Sequence, residues 1–202
     1  MLARIIVVVA FLFTTTLYAD DHENALTGLQ EATEVLIAEV TSNRNDIRND
    51  RHRWYRIVNN TIVKNFDFKR MSGLALGKIS RRATDAEKVQ FEEEFTALIV
   101  RTYSTAILSY TNQNIAWKTS AMDSKGRITV TATITNENDA HVEIKFKMAK
   151  SKRYAGWRAY DVVIEGVSII LGYRSIFSEQ EKSIGISGII TEIRNKNEAA
   201  YK

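Results

Sequence analysis

The first half of the chain carries apolar residues at helical spacing, which predicts several amphipathic helices. The first helix is predicted over residues 24–43, and the second begins near residue 51. Asp67 is suited to cap the start of a short third helix, and Gly77 suits its end. The positions of the first two helices that we expect to be buried are Leu26, Leu29, Leu36, Ile37, Val40, Trp54, Ile57, Val58 and Ile62.

The longest helix is predicted to begin at a capping box. Thr84 and Glu87 are spaced so that the side chain of each can bond to the backbone amide of the other. The apolar positions that follow keep the helical period. One face of this helix is expected to carry Phe91, Phe95, Leu98, Thr102, Tyr103, Ile107 and Tyr110.

The spacing of apolar residues then changes from helical to alternating. Residues 128–135 alternate Ile, Val or Ala with Thr, and residues 142–148 alternate apolar residues with Glu or Lys. This alternation predicts antiparallel strands with one buried face and one solvated face. Two more strands are predicted at residues 115–120 and 157–165, so the sheet is expected to have about four strands.

The order of the elements indicates a single α+β domain: helices, then a sheet, then a final helix over residues 167–197. The chain has 202 residues, of which 45% are apolar and 26% charged, and this is typical of a globular protein that buries its own core. Cysteine is absent, which excludes disulfides, zinc–thiolate sites and cysteine nucleophiles. The formal charge of +4 is modest and does not predict binding to nucleic acid.

Residues 1–19 are predicted to form a cleaved signal peptide. Arg4 provides a positive start, residues 5–13 form an apolar run, and Ala19 precedes two acidic residues. The run is shorter than the roughly 18 apolar residues that a membrane-spanning helix needs. The mature domain is then residues 20–202, exported to the periplasm. An uncleaved N-terminal anchor is the alternative.

No catalytic or metal-binding motif can be assembled from the sequence. His22, His52 and His141 do not stand at a metal-ligand spacing, and no serine elbow or phosphate loop is present. Asp161 and Glu165 lie four positions apart on a predicted strand, about 13 Å from each other. That distance is too long for the carboxylate pair of a glycosidase. A capped strand end and a surface charge are the simpler interpretation of these two residues.

A run of basic residues extends into the turn predicted at residues 151–156 and contains Lys147, Lys150, Lys152 and Arg153. It could bind phosphate groups, although such a run is more often a solvated hairpin. The apolar pattern is more informative, because one face of the sheet would lie opposite helices rich in aromatic residues. Pattern alone does not distinguish a packed core from a hollow one.

Three segments between residues 66 and 188 match the pattern of a known family in their order and spacing. They comprise Phe66-Asp67-Phe68, Leu76-Gly77 and Arg82-Ala83-Thr84; Phe91, Phe95 and Thr102-Tyr103; and Gly156-Trp157-Arg158-Ala159-Tyr160-Asp161-Val162, Glu165-Gly166-Val167-Ser168, Tyr173-Arg174 and Phe177. Together they resemble the MlaC family, also called the toluene-tolerance auxiliary family. Its members are periplasmic lipid-binding components of a retrograde phospholipid transport system.

Two features depart from the family pattern. Members commonly have Asn before the Tyr-Arg pair, where this chain has Gly172, and many have a proline near the Phe-Asp segment, whereas this chain has no proline. The first departure could change how a helix enters the mouth of the pocket. Neither departure removes an apolar residue.

The resemblance implies a strongly curved antiparallel sheet wrapped by helices, similar to the cone of the nuclear-transport-factor type. It also implies an apolar cavity for phospholipid acyl chains, without a cofactor, metal or catalytic residue. Tyr173 and Arg174 are candidates for the mouth, although Arg174 could equally pair with a structural carboxylate. The expected lipid-binding residues are Phe66, Phe95, Tyr103, Val130, Ile144, Phe146, Val162, Val167, Tyr173, Arg174 and Phe177.

The function implied by the resemblance is that of a non-enzymatic phospholipid carrier that maintains the lipid asymmetry of the outer membrane. Its partners would be an inner-membrane ABC transporter with a lipid-binding ring and an outer-membrane lipoprotein–porin complex. Two alternatives stay open. One is a hydrolase or isomerase in a similar cone-shaped fold, which would need a His or a carboxylate in the cavity. The other is an exported interaction module with a solid core.

Overall fold

The computed structural model describes residues 16–108, 113–136 and 140–200; the side chains of residues 16–23, 48 and 49 are not described. The described residues form five α-helices, two short 3-10 helices and one antiparallel sheet. Tyr110, most of the predicted signal peptide and part of the predicted turn at 136–139 lie outside the described residues. No described helix is long and apolar enough to cross a bilayer. The elements are α1 (Thr16–Asn49), α2 (Arg51–Ile62), α3 (Phe68–Leu76), α4 (Asp85–Leu108), β1 (Asn114–Thr119), β2 (Arg127–Thr135), β3 (His141–Lys150), β4 (Trp157–Ile164), β5 (Val167–Ser168) and α5 (Ile169–Ala199).

Side-chain caps start α3 and α4 at the predicted positions. The carboxylate of Asp67 accepts a hydrogen bond from the backbone N–H of Arg70 at 3.0 Å. The capping box of α4 is also confirmed: the N–H of Glu87 donates to Thr84 Oγ1 at 3.2 Å, and the N–H of Thr84 donates to Glu87 Oε2 at 2.8 Å. These bonds to Thr84 lower the pKa of the Glu87 carboxyl. Gly77, with a φ of 54°, ends α3 as predicted.

Two of the helices contain a break, and the first of them, α1, is also longer than predicted. Helix α1 begins at Thr16 and continues past Asn43, but Asn43 itself has non-helical angles (φ −127°, ψ 25°) at the predicted helix end. Helix α5 breaks at Gly185, whose φ of 63° and ψ of 179° are accessible essentially to glycine alone. The amide of Gln180 donates to Glu192 across this break at 2.7 Å. In a straight helix these two residues would lie about 18 Å apart, so the two halves of α5 are bent towards each other.

The buried face of α4 changes along the helix. Phe91, Phe95 and Leu98 are buried, as predicted. Thr102 was expected on the same face, and this is wrong: Thr102 is exposed, and Ser104 is buried instead. The reason is that the C-terminal half of α4 packs against α2, where the indole N–H of Trp54 donates to the Ser104 carbonyl at 3.1 Å.

The sheet is open and antiparallel, with its strands in sequence order from β1 to β5. The first four strands begin and end within two residues of their predicted bounds. The fifth strand was not predicted, because two residues are too few to show an alternating pattern. The final helix therefore begins at Ile169, two residues later than predicted, with Ser168 as its N-cap. The strong curvature of the sheet and its cone shape stay predictions.

A β-bulge in β4 decides which residues face the helices. Lys147 pairs with Asp161 and Met148 pairs with Ala159, so Tyr160 is an extra residue between these two pairs. Without it, Ala159 and Val162 would lie on opposite faces of the sheet, because they are three positions apart. With the bulge, both lie on the face that carries Met148 and Phe146.

The helices and the sheet bury two hydrophobic clusters. The larger one joins the sheet to α3, α4 and α5 and includes Phe95, Val130 and Phe177. The smaller one lies between α1, α2 and the C-terminal half of α4. Its buried members are Leu36, Val40, Ile47, Trp54, Tyr55, Val58 and Val100.

Two helical glycines are expected to respond in opposite directions to substitution by alanine. Gly73 lies exposed in α3, and a Cβ built on it would have no atom within 4 Å. Gly73→Ala should therefore raise the free energy of unfolding by about 0.5–1 kcal/mol, because alanine loses less backbone entropy. A Cβ on Gly188 would lie 2.6 Å from Ile184 Cβ, so Gly188→Ala should lower stability. Urea denaturation checks both, and a destabilised Gly73→Ala variant would contradict this account.

Candidate functional site

Two adjacent rows of residues cross the face of the sheet that is directed towards the large cluster, which we call the inner face. In each row, neighbouring residues are register partners on successive strands. The first row is Thr119, Val130, Phe146 and Val162. The second row is Trp117, Ala132, Ile144, Ile164 and Val167.

The inner face is closed at one end and open at the other. Ile128 and Met148, near the β3–β4 turn, are each 2% exposed. Towards the opposite end, Ile144 and Ile164 are only half-buried, although they pack against the same cluster. Their row ends at Val167, which is 68% exposed. A continuous apolar row therefore leads from the core to the surface at β5.

Aromatic rings from α4 and α5 form the helical side of the site. Phe91 and Phe95 stack with ring centroids 5.4 Å apart. Phe177 meets both rings edge-on, at 5.3 and 5.9 Å. Tyr173 stacks on Phe177 at 5.5 Å and meets Phe95 edge-on at 5.3 Å. Such contacts bury large apolar surfaces.

A second aromatic group lies on the sheet. Phe66 forms a parallel bridge with Ala159 at the edge of β4, which brings its ring to 6.3 Å from that of Phe146. Trp117 stacks on the other side of Phe146 at 6.4 Å. The rings thus form a row across the strands, and Phe146 and Trp117 are both only partly buried.

Tyr103 is a polar group beside the aromatic cluster of the helices. Burial raises the pKa of the Tyr103 hydroxyl above its ordinary value, and the nearby Tyr173 raises it further. The hydroxyl therefore stays neutral at physiological pH and adds no charge to the apolar site.

Arg174 lies at the surface next to Tyr173. A Cβ built on Gly77 would lie 2.6 Å from Arg174 Nε, so the guanidinium packs directly against the glycine at the end of α3. Among the residues that the structure describes, Arg174 forms no ion pair with a carboxylate. The alternative interpretation of Arg174 as one half of a structural ion pair is thus not supported, and its charge is available at the surface.

The structure brings nine of the eleven expected lipid-binding residues into the large cluster. Five are buried members and four are half-buried and pack against them. The remaining two, Val167 and Arg174, are exposed. Val167 does not reach the core because β5 is a two-residue strand at the edge of the sheet. The nine are Phe66, Phe95, Tyr103, Val130, Ile144, Phe146, Val162, Tyr173 and Phe177.

Sequence reasoning missed several residues of the same surfaces. Trp117 lies on the inner face of a predicted strand, and continuing the alternation into that strand would have found it. Ile164 is two positions beyond Val162, so the alternation along β4 would have found it in the same way. Thr119 gives no such signal: its hydroxyl is buried and has no hydrogen-bond partner among the described residues. Leu171, 57% exposed, lies in the first turn of α5, four positions after Val167.

The two carboxylates considered for catalysis have structural roles. Asp161 is 5% exposed and accepts the Ser168 hydroxyl at 2.9 Å, and the N–H of Ile170 also donates to it at 3.3 Å. It therefore holds the start of α5. Glu165 is exposed and accepts a hydrogen bond from the backbone N–H of Glu143. These contacts agree with the interpretation of a capped strand end and a surface charge.

A groove of about 380 Å³ lies away from these residues, between α1 and α2. Five of its seven lining residues are polar or charged, and none of the seven is an expected lipid-binding residue. The predicted apolar cavity therefore stays a prediction. The lining consists of Glu31, Ala32, Glu34, Val35, Asn60, Thr61 and Lys64.

The sequence of this chain is similar to those of known proteins. The MlaC protein family model matches residues 30–195. The intermembrane phospholipid transport system binding protein MlaC of Haemophilus influenzae is 26% identical over 194 residues, which cover 93% of this chain and 88% of that protein. The toluene tolerance protein ttg2D of Pseudomonas putida is 23% identical over 180 residues, covering 85% of this chain and 82% of that protein.

A solved structure shares the fold. It is the phospholipid-binding protein from Ralstonia solanacearum in complex with a phospholipid, and it is 25% identical with a TM-score of 0.77. The match covers 88% of this chain and 99% of that chain. Because the family model spans most of the sequence and the fold agrees, this chain belongs to the MlaC protein family.

Proposed function

We propose that this protein is a periplasmic phospholipid carrier that holds acyl chains between the inner face of the sheet and the aromatic side chains of α4 and α5. The observation that carries the proposal is the apolar row that ends at Val167. Its middle members, Ile144 and Ile164, contact the core and yet stay partly exposed. A packed interaction module would bury such residues, since partly exposed isoleucines gain little from the hydrophobic effect.

The chemistry of the surrounding side chains supports a lipid rather than a substrate. Acyl chains require an apolar, water-free lining with few polar groups. The inner-face rows and the rings of Phe95, Tyr173 and Phe177 have this character. The carboxylate of Asp161, which an enzyme could have used, already accepts hydrogen bonds from Ser168 and Ile170 at the start of α5. A carrier without a catalytic step is therefore the function that these residues support best.

The exposed residues around the open end suggest how a phospholipid would lie. Val167 and Leu171 would border the entrance for the acyl chains, and both are more than half exposed. Arg174, exposed beside Tyr173, would face the phosphate of the head group. The head group can stay in water, so no deep polar site is needed.

The protein should purify with phospholipid bound in near-stoichiometric amounts. Native mass spectrometry of gently purified protein should show an adduct of phospholipid mass that disappears in organic solvent. Lipid extraction and mass analysis then identify the head group and the chains. Repeated recovery of protein without lipid from mild preparations would contradict the carrier function.

Exchange of this lipid is expected to require contact with a partner. Two acyl chains contain roughly 30 methylenes, and each buried methylene contributes about 0.8 kcal/mol. Even after losses from ordering and incomplete burial, more than about 10 kcal/mol opposes release into water. We propose that an inner-membrane ABC transporter with a lipid-binding ring and an outer-membrane lipoprotein–porin complex are these partners, in a system that maintains outer-membrane lipid asymmetry.

The contact requirement can be measured with labelled phospholipid. The loaded protein and the transporter are either mixed or separated by a membrane that passes lipid but not protein. Transfer should occur only on mixing. Equal rates in the two arrangements would show that the lipid crosses water by itself.

A further inference from the structure

The turn between β3 and β4 concentrates positive charge at one end of the sheet. Residues 149–160 include four cations, Lys150, Lys152, Arg153 and Arg158, and no carboxylate. The first three are exposed and Arg158 is half-buried. The carrier function proposed above does not use any of them.

Neighbouring segments extend this positive surface. Arg127 on β2 and Arg158 on β4 flank Ala149 in the strand register, so both guanidinium groups lie on the outer face of the sheet. The guanidinium of Arg70 lies 3.9 Å from the centre of the Tyr160 ring, and the Tyr160 hydroxyl interacts with Arg127. We call the surface formed by Arg70, Arg127, Lys150, Lys152, Arg153 and Arg158 the basic end.

Among the residues that the structure describes, the carboxylates of Asp123 and Asp67 contact the basic end, and neither forms an ion pair with Lys152 or Arg153. Asp123 is bound to Arg127 at 2.6 Å, and this contact lowers the pKa of the Asp123 carboxyl to about 2. Asp67 is buried and directed at the start of α3 and at Ser151, whose hydroxyl donates to it at 3.1 Å. The same hydroxyl accepts the N–H groups of Arg153 and Tyr154 at 3.2 Å. Asp67 thus connects the β3–β4 turn to the start of α3, and it forms no ion pair with the cations of that turn.

An exposed aromatic ring lies among these cations. Tyr154 is 38% exposed, and the guanidinium carbons of Arg153 and Arg158 lie 5.7 and 5.9 Å from its ring centre. Tyrosine next to Lys and Arg is typical of surfaces that bind the interface of an anionic membrane, where the ring lies among the head groups and the cations attract anionic lipid.

We propose that the basic end docks this protein on an anionic membrane surface. Along β4, Trp157 at the basic end and Ile164 beside β5 are separated by about 23 Å. Docking through the basic end therefore leaves Val167 and the open end of the inner face accessible to a partner. The attraction is mainly electrostatic, so it weakens as salt screens the charges.

The test compares two double variants that change the net charge equally. Lys152→Glu/Arg153→Glu reverses two charges at the basic end. Arg51→Glu/Arg56→Glu reverses two exposed charges on α2, away from it. Each protein is sedimented with phosphatidylcholine vesicles that contain or lack phosphatidylglycerol, at low and high salt, and its bound phospholipid is quantified.

The unchanged protein should bind the phosphatidylglycerol vesicles at low salt and hardly bind the others. The Lys152/Arg153 variant should bind about tenfold more weakly or worse, whereas the Arg51/Arg56 variant should retain its binding. Tyr154→Ala should weaken binding about threefold. Unchanged bound phospholipid in all variants separates this surface from the carrier site.

Three results would overturn the proposal. Equal losses in the two double variants would mean that net charge alone matters. Equal binding to both kinds of vesicle would mean that the apolar open end makes the contact. Binding to soluble polyglutamate as tight as to vesicles, with no effect of Tyr154→Ala, would identify an acidic protein as the partner.

Discussion

Ile144→Glu is expected to abolish phospholipid binding. Ile144 lies in the middle of the apolar row, between Ala132 and Ile164, and is half-buried against the large cluster. A carboxylate there would have to lose its water against acyl chains, and burying an unpaired charge costs far more than the site can recover. Native mass spectrometry of the purified variant should show the mass of the protein alone.

The matched control places the same charge on the other face of the sheet. Thr131 is the register partner of Lys145, so Thr131→Glu points away from the helices and next to a cation. This variant should keep its lipid. A thermal melt of both variants separates loss of binding from loss of folding. Normal lipid occupancy in a folded Ile144→Glu protein would mean that the inner face packs against protein rather than ligand.

Asp161→Ala is expected to produce a large loss of stability. The carboxylate is 5% exposed, accepts the Ser168 hydroxyl at 2.9 Å, and lies 3.3 Å from both Lys147 Nζ and the N–H of Ile170. Removing it leaves buried donors without an acceptor and detaches the start of α5. The free energy of unfolding should fall by about 3 kcal/mol, measured by urea denaturation.

An exposed carboxylate provides the comparison. Asp85 begins α4, where its side chain is 99% exposed and pairs with Lys88. Asp85→Ala should change stability by less than about 1 kcal/mol, since exposed ion pairs contribute little. Similar effects of the two substitutions would contradict the structural role assigned to Asp161. Because Tyr173 follows on the same helix, the Asp161→Ala variant should also retain less lipid than the Asp85→Ala variant.

Local patterns in the sequence predicted most of the elements of this fold. The caps at Asp67 and Thr84 depend on side chains that bond to amides only a few residues away, so their signal is local. The alternation in β2 places Ile128 and Val130 on one face for a similarly local reason. The exposed Thr102 and the two-residue strand β5 could not be predicted in this way, because their environments are set by packing partners distant in sequence.

The residues of the candidate site were also only partly predictable from the sequence. Nine of these residues lie in the large cluster. Six of the nine belong to the family motifs, and the other three, Val130, Ile144 and Phe146, come from the alternation in β2 and β3. The position of Val167 was not predictable, because its exposure depends on how β5 ends the sheet. The free guanidinium of Arg174 also depends on a distant residue, Gly77, which leaves room for it.

The sequence by itself determined the class of the fold, the order of helices and strands, and which face of each strand is apolar. These properties follow from side-chain periodicity and local hydrogen bonding. Only the tertiary structure decided that the bulge at Tyr160 turns both Ala159 and Val162 inward, and that α5 bends at Gly185. It also decided that the apolar row is buried at Ala132 and exposed at Val167, because burial depends on which elements meet in space.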